Sequence, residues 1–579
     1  MPITCTRRGI GPTAVAVVLA LLGSRDAVFG QQSEKAPAKP ADAAERPAEK
    51  VKEPSDAQPS PTTPAQGDDA RTMTWSTPSW VRDARWYEVD VAMFRNGEPS
   101  NDPVGCAPWT ATPHGPKEAK KPDEAAPQAE RSARLHFGGD LQGLSSKLGY
   151  LSRLGVNTLY LNSVFRRAGG VPGGGDVDMR HIDDSFGVAH SLSRITGESD
   201  GPETWKYSDT DKLFLDFLKE AHRKGFRVVL PGNFPELVSD KKSHGPLPPA
   251  VGALLHRWMD PDNDGSPSDG VDGWHAGDVR GIPLVEWRRQ VFRLNPNAII
   301  VGDARALAGE ARGLDLVIAS DIGESIRKFF TTAVTEGAAA KLVNELEKQQ
   351  ARYASMNVGV VTPLGGHQSG RLLPALASDP AKIDERGLAR WRLANAVQHL
   401  CLGSPITPYG EEVGMFGDTA STGTIPMWWD DLAGKATKTA RYRGDFVGLI
   451  RFLNAQREQY TPLRHGRFEK VIVDEKRSLV VFSRLASKEK ALVAMNYGDQ
   501  NQQVKLAVAN PGQLARVIHT PLKPEPPRAR GAKKPGSYDH TQIGRIKIAG
   551  STQYATESGE ISLWLGPESI CIALLTADK

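Results

Sequence analysis

Cysteine is scarce, with four in 579 residues. None sits in a CxxC pair or in a Cys/His grouping at zinc-ligand spacing, which excludes a disulfide scaffold and a zinc-finger module. An excess of one charge is missing too. Lys plus Arg is 72 and Asp plus Glu is 68, leaving +4. That balance supports no nucleic-acid partner and no attraction to an anionic membrane. Long apolar runs are absent as well: Thr13 to Leu22 is too short to cross a bilayer, which takes about 20 residues. No internal repeat is visible, so a solenoid or propeller is not expected. Glycine (57) and proline (42) are present above their ordinary share of about 12%. A hydrophobic share of 39% with 24% charged residues fits a soluble globular chain carrying some disordered sequence. The length suggests about three or four domains.

The amino terminus reads as an export signal over 1–30. Arg7 and Arg8 form a basic region, the apolar run follows, and Val28 and Gly30 are small residues before a cut at Gln31. A retained anchor is the other reading, which Gly11 and Pro12 oppose by shortening the run. Signal removal predicts a secreted or periplasmic chain with no membrane span. It also removes Cys5 and leaves Cys106, Cys401 and Cys571, an odd number, so at least one thiol stays free or pairs between chains. Residues 31–75 are Ala, Pro, Lys and Glu with almost no large apolar side chain. Such a segment buries too little surface to offset its ordering entropy and is expected to be a tether.

From there the periodicity alternates. Leu144, Leu148, Leu151 and Leu154 recur at helical spacing, Gly155 ends the helix, and Val156 to Leu161 reads as a buried strand. Ser208 and Asp211 form a capping box before Phe214, Phe217, Leu218 and Ala221; Gly225 ends that helix, and Phe226 to Leu230 is the next strand. Trp287 to Leu294 followed by Ala298 to Val301 repeats the unit, and Leu314 to Ala319, Val358 to Thr362 and Pro405 to Thr407 add short apolar strands. Such alternation predicts an α/β fold, a (β/α)8 TIM barrel over 76–460 with inserted loops at 108–131 and 165–205. Beyond it, Ser478 to Arg484, Ala491 to Asn496 and Ile561 to Leu565 alternate at period two. They predict a C-terminal antiparallel β-sandwich over 461–579.

Barrel chemistry sits just past the carboxyl ends of the strands. There the sequence resembles glycoside hydrolase family thirteen, the α-amylase family, in its neopullulanase and cyclomaltodextrinase branch. The likeness rests on Trp86 to Pro103 (WYEVDVAMFRNGEPSNDP), Gly139 to Phe165, Arg257 to Trp274 (RWMDPDNDGSPSDGVDGW), Ala298 to Asp303 (AIIVGD) and Gly403 to Asp431. It implies an α-glucan or malto-oligosaccharide ligand and a retaining mechanism, which needs two carboxyl groups about 5 Å apart. The family's nucleophile motif, Gly-x-Arg-x-Asp, is matched by Gly273, Trp274, His275, Ala276 and Gly277. Gly277 thus occupies the nucleophile position and His275 that of the arginine. Asp278 is adjacent, but alternation along a strand turns it from the mouth unless a bulge intervenes. The acid position is Asp303, one methylene shorter than the family's Glu. The seventh-strand His-Asp pair is His367-Gln368, and the loop after the third strand (Pro231 to Glu236) lacks the family's polar ligands.

Asp303, Asp278 and His367 therefore remain as residual catalytic candidates. His275, Gln368, Glu236, Trp428 and Trp429 remain as candidate substrate contacts. Asp260, Asp262, Asp264 and Gly265 (DPDNDG) match the start of a calcium loop, with Val271 where a bidentate Glu is expected; plain turn chemistry is the alternative. A transition-metal set of His275, Asp278, Asp303 and His367 is conceivable, and no other cofactor is implied. Two functions stay open. One is a non-hydrolytic glucan-binding or structural protein of unknown protein partner. The other is a divergent glycosidase using Asp303 with Asp278 or Glu236.

Overall fold

A computed structural model describes residues 76–103, 106, 137–162, 164–167, 177–232, 234, 246–277, 279, 282–307, 311–366, 370–377, 383–415, 426, 427, 429, 444–508, 514–519, 550–554 and 559–575. The expected signal, tether and 108–131 insertion lie outside the described residues.

Eight short parallel strands close on themselves. They are β1 (Trp86–Val89), β2 (Thr158–Leu161), β3 (Arg227–Pro231), β4 (Gly273–His275), β5 (Ile299–Asp303), β6 (Leu316–Ile318), β7 (Gly359–Pro363) and β8 (Ser404–Pro408). Each pairs with its sequence neighbours and β8 returns to β1, which is the expected barrel. Alternation sets the layers: Trp86, Val229, Val301 and Ile406 fill the interior. Leu159, Leu161, Val228 and Leu230 face the surrounding helices.

Local signals place the helices. In α1 (Leu141–Leu154) the Asp140 carboxylate accepts from the Gly143 amide at 2.6 Å, and Gly155 ends the helix at φ +85°, a conformation cheap only for glycine. In α2 (Asp209–Arg223) the Asp211 amide donates to Ser208 Oγ at 3.0 Å, and the Ser208 amide donates to Asp211 at 2.8 Å. The capping box is present, and Phe214, Phe217, Leu218 and Ala221 are the buried face. Two further helices, α3 (Pro249–Met259) and α4 (Leu284–Leu294), flank β4 in sequence.

The 165–205 insertion carries order of its own. Phe165–Arg167 pairs antiparallel with Val177–Ile182. His181, 1% exposed, lies between Asp211 (Nδ1, 2.8 Å) and Glu198 (Nε2, 2.9 Å). Arg257 joins Asp211 at 3.2 Å.

The C-terminal strands are β9 (Arg467–Asp474), β10 (Leu479–Ala486), β11 (Glu489–Asn496), β12 (Gln502–Ala507), β13 (Leu514–His519), β14 (Gly550–Tyr554), β15 (Glu560–Leu565) and β16 (Ser569–Leu575). Six make an antiparallel sheet in the order β9-β10-β11-β16-β13-β14, and β12 pairs with β15. Leu479, Val481, Leu492, Val504, Leu563 and Cys571 form the apolar layer between the two sheets. Phe482, Val493, Met495 and Ile572 on the opposite face join the barrel's core. Cys106, Cys401 and Cys571 are free thiols, the last two buried. Among the described residues no helix is long and apolar enough to cross a membrane.

Candidate active site at the barrel mouth

The carboxyl ends of β2, β4 and β5 bring three polar side chains into one chain of hydrogen bonds. Tyr160 Oη lies 2.8 Å from His275 Nδ1, and His275 Nε2 lies 3.2 Å from Asp303 Oδ1. The Tyr160 and His275 rings meet edge to face at 5.2 Å. Burial pushes the Tyr160 phenol above its ordinary range, and the charges of Glu88 and Asp303 push it further, so it keeps its proton. The imidazole thus bridges the phenol and the carboxyl group, one ring nitrogen to each.

Gly277 lies two residues beyond β4 at φ +58°. Its carbonyl accepts from the Asp303 amide at 3.3 Å. At the position that the resemblance gives to the attacking carboxylate, the chain therefore presents a backbone carbonyl already engaged by the neighbouring strand. The Gly232 amide donates to the His275 carbonyl at 2.8 Å, which ties β3's exit to β4. Phe234 is fully buried and its ring packs on Trp274 at 5.3 Å and on Trp287 at 5.4 Å. This segment is thus anchored by apolar packing. Above the interior layer a solvent-open cavity is lined by Glu88, Tyr160, Asn162, His275, Ser320 and Gly366.

Of the residues singled out from sequence, the structure brings His275 and Asp303 into contact. Asp278, Glu236, His367, Gln368 and Trp428 lie outside the described residues. One expectation needs correction. Trp429 is 3% exposed; its indole donates to the Phe94 carbonyl, its ring meets Phe94 and Tyr150 edge to face, and Lys147 Nζ sits 4.1 Å over it. That is a packing residue, not an open face for a sugar. Of the transition-metal set, only His275 and Asp303 fall within the described residues, 3.2 Å apart. Asp260, Asp262 and Asp264 do cluster, with one oxygen each within 4.8 Å of the others, an arrangement that could hold a metal ion. They precede β4, at the barrel end opposite the mouth.

Tyr160 and Glu88 were not singled out from sequence. The signal was available in strand alternation, since Glu88 pairs with Tyr160 across β1 and β2 and both point the same way.

Residues 91–200 match the model of the α-amylase catalytic domain. Neopullulanase 2 of Thermoactinomyces vulgaris is 27% identical over 479 residues, 76% of this chain and 74% of that protein. The chain is thus similar to the α-amylase family over most of its length. A cyclomaltodextrinase of Bacillus sp. is 25% identical over 72% of this chain and 73% of that protein. The solved α-amylase of Anoxybacillus shares the fold at a TM-score of 0.57, with 19% identity over 86% of this chain and 99% of its own. The side chains at the mouth decide what this likeness leaves open.

Proposed function

We propose that the chain recognises malto-oligosaccharides at the barrel mouth and does not carry out the retaining hydrolysis of its relatives. The observation that carries this reading is the Tyr160–His275–Asp303 chain beside Gly277. Retaining hydrolysis needs an attacking carboxylate and a carboxylic acid about 5 Å apart. Asp303 Oδ1 instead lies 3.2 Å from His275 Nε2, so the acid position is engaged by an imidazole where the retaining mechanism sets a second carboxyl group. Gly277 offers no attacking oxygen. The relatives' names, neopullulanase and cyclomaltodextrinase, supply the ligand class, and the cavity beside Glu88 and Asn162 supplies polar groups for sugar hydroxyls.

The test is a pair of assays on the purified mature chain: reducing-sugar release from starch, pullulan and cyclodextrins, and calorimetry with maltoheptaose. Binding without release is expected. Release that disappears in Asp278→Asn or Glu236→Gln would instead establish the divergent glycosidase that pairs one of those carboxylates with Asp303. The signal at 1–30 places the chain outside the cytoplasm in this reading; a mature protein beginning at Gln31 is expected, and an intact Met1 would contradict it. Calcium is the ion proposed for the Asp260 turn, because carboxylate oxygens are hard ligands that suit it.

A further inference from the structure

The C-terminal strands are layered outward from the barrel. The six-stranded sheet turns Phe482, Val493, Met495 and Ile572 to the barrel core. Its other face meets Val504, Leu506, Ile561, Leu563 and Leu565 of the β12–β15 ladder. Alternation along those two strands then sends Gln503, Lys505, Ser562 and Trp564 to the face that points away from the barrel. Trp564 is 61% exposed, and every other exposed large apolar side chain among the described residues is a Val or a Leu. Strand geometry does not require an indole there. A polar or β-branched residue fills an outward place without leaving so much apolar surface in water.

The surroundings of that indole are polar and fixed. Gln503 stands directly opposite Trp564 in the ladder, and its Nε2 donates to Ser562 Oγ at 3.2 Å. The amide brings an oxygen and a second N–H besides, and the serine its hydroxyl hydrogen. Arg477, at the turn between β9 and β10, donates to Gln502 Oε1 at 3.1 Å and to the Gln503 carbonyl. Asn496 Nδ2 donates to the carbonyls of Gln500 and Gly566, both at 2.7 Å. These bonds close the end of the ladder at which Trp564 stands. Strands held this way present the ring with little left to order on binding.

Size and charge say what the face fits. A Trp side chain buries about 150–250 Å², so this one offers a partner about 100–150 Å² of apolar surface, against about 800 Å² per partner in a stable protein interface. Lys505 and Glu560 give the face one charge of each sign, which draws neither nucleic acid nor a strongly charged peptide. An indole bordered by an amide and a hydroxyl suits a pyranose, whose C–H face lies on the aromatic plane while its hydroxyls reach the polar rim. We propose that the outer face of the β12–β15 ladder is a second saccharide-binding surface. Trp564 stacks on a sugar of an α-glucan chain, and Gln503 and Ser562 hydrogen-bond its hydroxyls. The choice of α-glucan rests on the reading of the mouth; the place does not. Barrel and ladder lie on opposite sides of the six-stranded sheet, so this surface is separate from the mouth and adds to the hold on a polymer.

The test is native electrophoresis of the full chain in gels with and without soluble starch, beside calorimetry with maltoheptaose. Starch should retard the wild type. Trp564→Ala should lower the affinity for starch about tenfold, and Trp564→Phe, which keeps a ring, should recover part of it. Trp564→Ala should melt within about 2 °C of wild type because the side chain removed is exposed, which separates a lost contact from a damaged fold. A wild type that starch does not retard, or a retardation unchanged in Trp564→Ala, overturns the surface site and leaves the reading of the mouth standing. Retardation that depends on Trp564, with no maltoheptaose heat left in Trp564→Ala, overturns the reading of the mouth and leaves this surface. Equal retardation by hydroxyethyl cellulose overturns the assignment to an α-glucan. A smaller sedimenting mass for Trp564→Ala than for wild type overturns the proposal in favour of a second copy of the chain on this face.

Discussion

Glu412 shows what a single buried group does to the molecule as a whole. Both Tyr87 and Tyr150 donate their hydroxyls to its Oε1, at 2.7 and 2.9 Å, while Oε2 is buried without a donor among the described residues. Burial pushes its carboxyl up to about 7, with the two tyrosine bonds opposing. A raised carboxyl stabilises the fold while protonated, and that contribution is lost as pH rises through about 7. Glu412→Gln keeps an acceptor and cannot ionise. Its stability relative to wild type should therefore grow by about 1–3 kcal/mol between pH 5 and pH 8, measured by denaturant unfolding at both. An equal difference at the two pH values would contradict the assignment. At the mouth, Gly277→Asp restores a carboxylate at a φ that Asp tolerates better than most residues. It should remain below about a thousandth of the ordinary turnover of about 10 per second. By the resemblance, His275 replaces an arginine and Gln368 an Asp, and residues that act as a unit recover little one at a time. Reducing-sugar assay of the single variant checks this, and robust hydrolysis would contradict it.

Elements differ in how plainly the chain announces them. β2, β3 and β5 are buried on both faces and read as continuous apolar runs; α1 and α2 carry their caps in the sequence. The three residues of β4, Gly-Trp-His, have no such run, and only the family resemblance located them. The Phe165–Arg167 and Val177–Ile182 ladder was hidden because Arg166, Arg167, Asp178 and Arg180 break any apolar alternation. What holds it is the clamp of His181 between Asp211 and Glu198, a contact between distant parts of the chain that no local period encodes. Tyr160 reads as a core strand residue because its partner His275 stands on β4, beyond the intervening β3. The clamp can be tested as an element. Burial alone would lower the His181 pKa; the hydrogen bonds and charges of Asp211 and Glu198 outweigh it, and the net shift is upward. That stability is present below the ordinary histidine range and is lost as pH rises through the raised pKa. Proteolysis within 183–205 should accelerate in wild type as pH rises. In His181→Ala it should be fast throughout, with a stability loss of about 2–3 kcal/mol. Cleavage independent of both pH and the substitution would contradict the clamp.

On the scale of the whole molecule, a closed barrel and a C-terminal sandwich share one apolar core, and function depends on a few positions past the strand ends. Barrels accept such changes because the groups at the mouth contribute little to the packing that stabilises them. Here Trp86, Val229, Val301 and Ile406 keep the interior filled, while Gly277 and Asp303 stand at the positions that the resemblance gives to the catalytic carboxylates. The central claim is recognition without retaining hydrolysis. Its most direct test is one incubation of the purified mature chain with maltoheptaose, followed by calorimetry for binding and by product analysis for cleavage. The account predicts a measurable heat of binding and intact maltoheptaose at the end. Shorter maltodextrins released at about 1 per second or faster would contradict it.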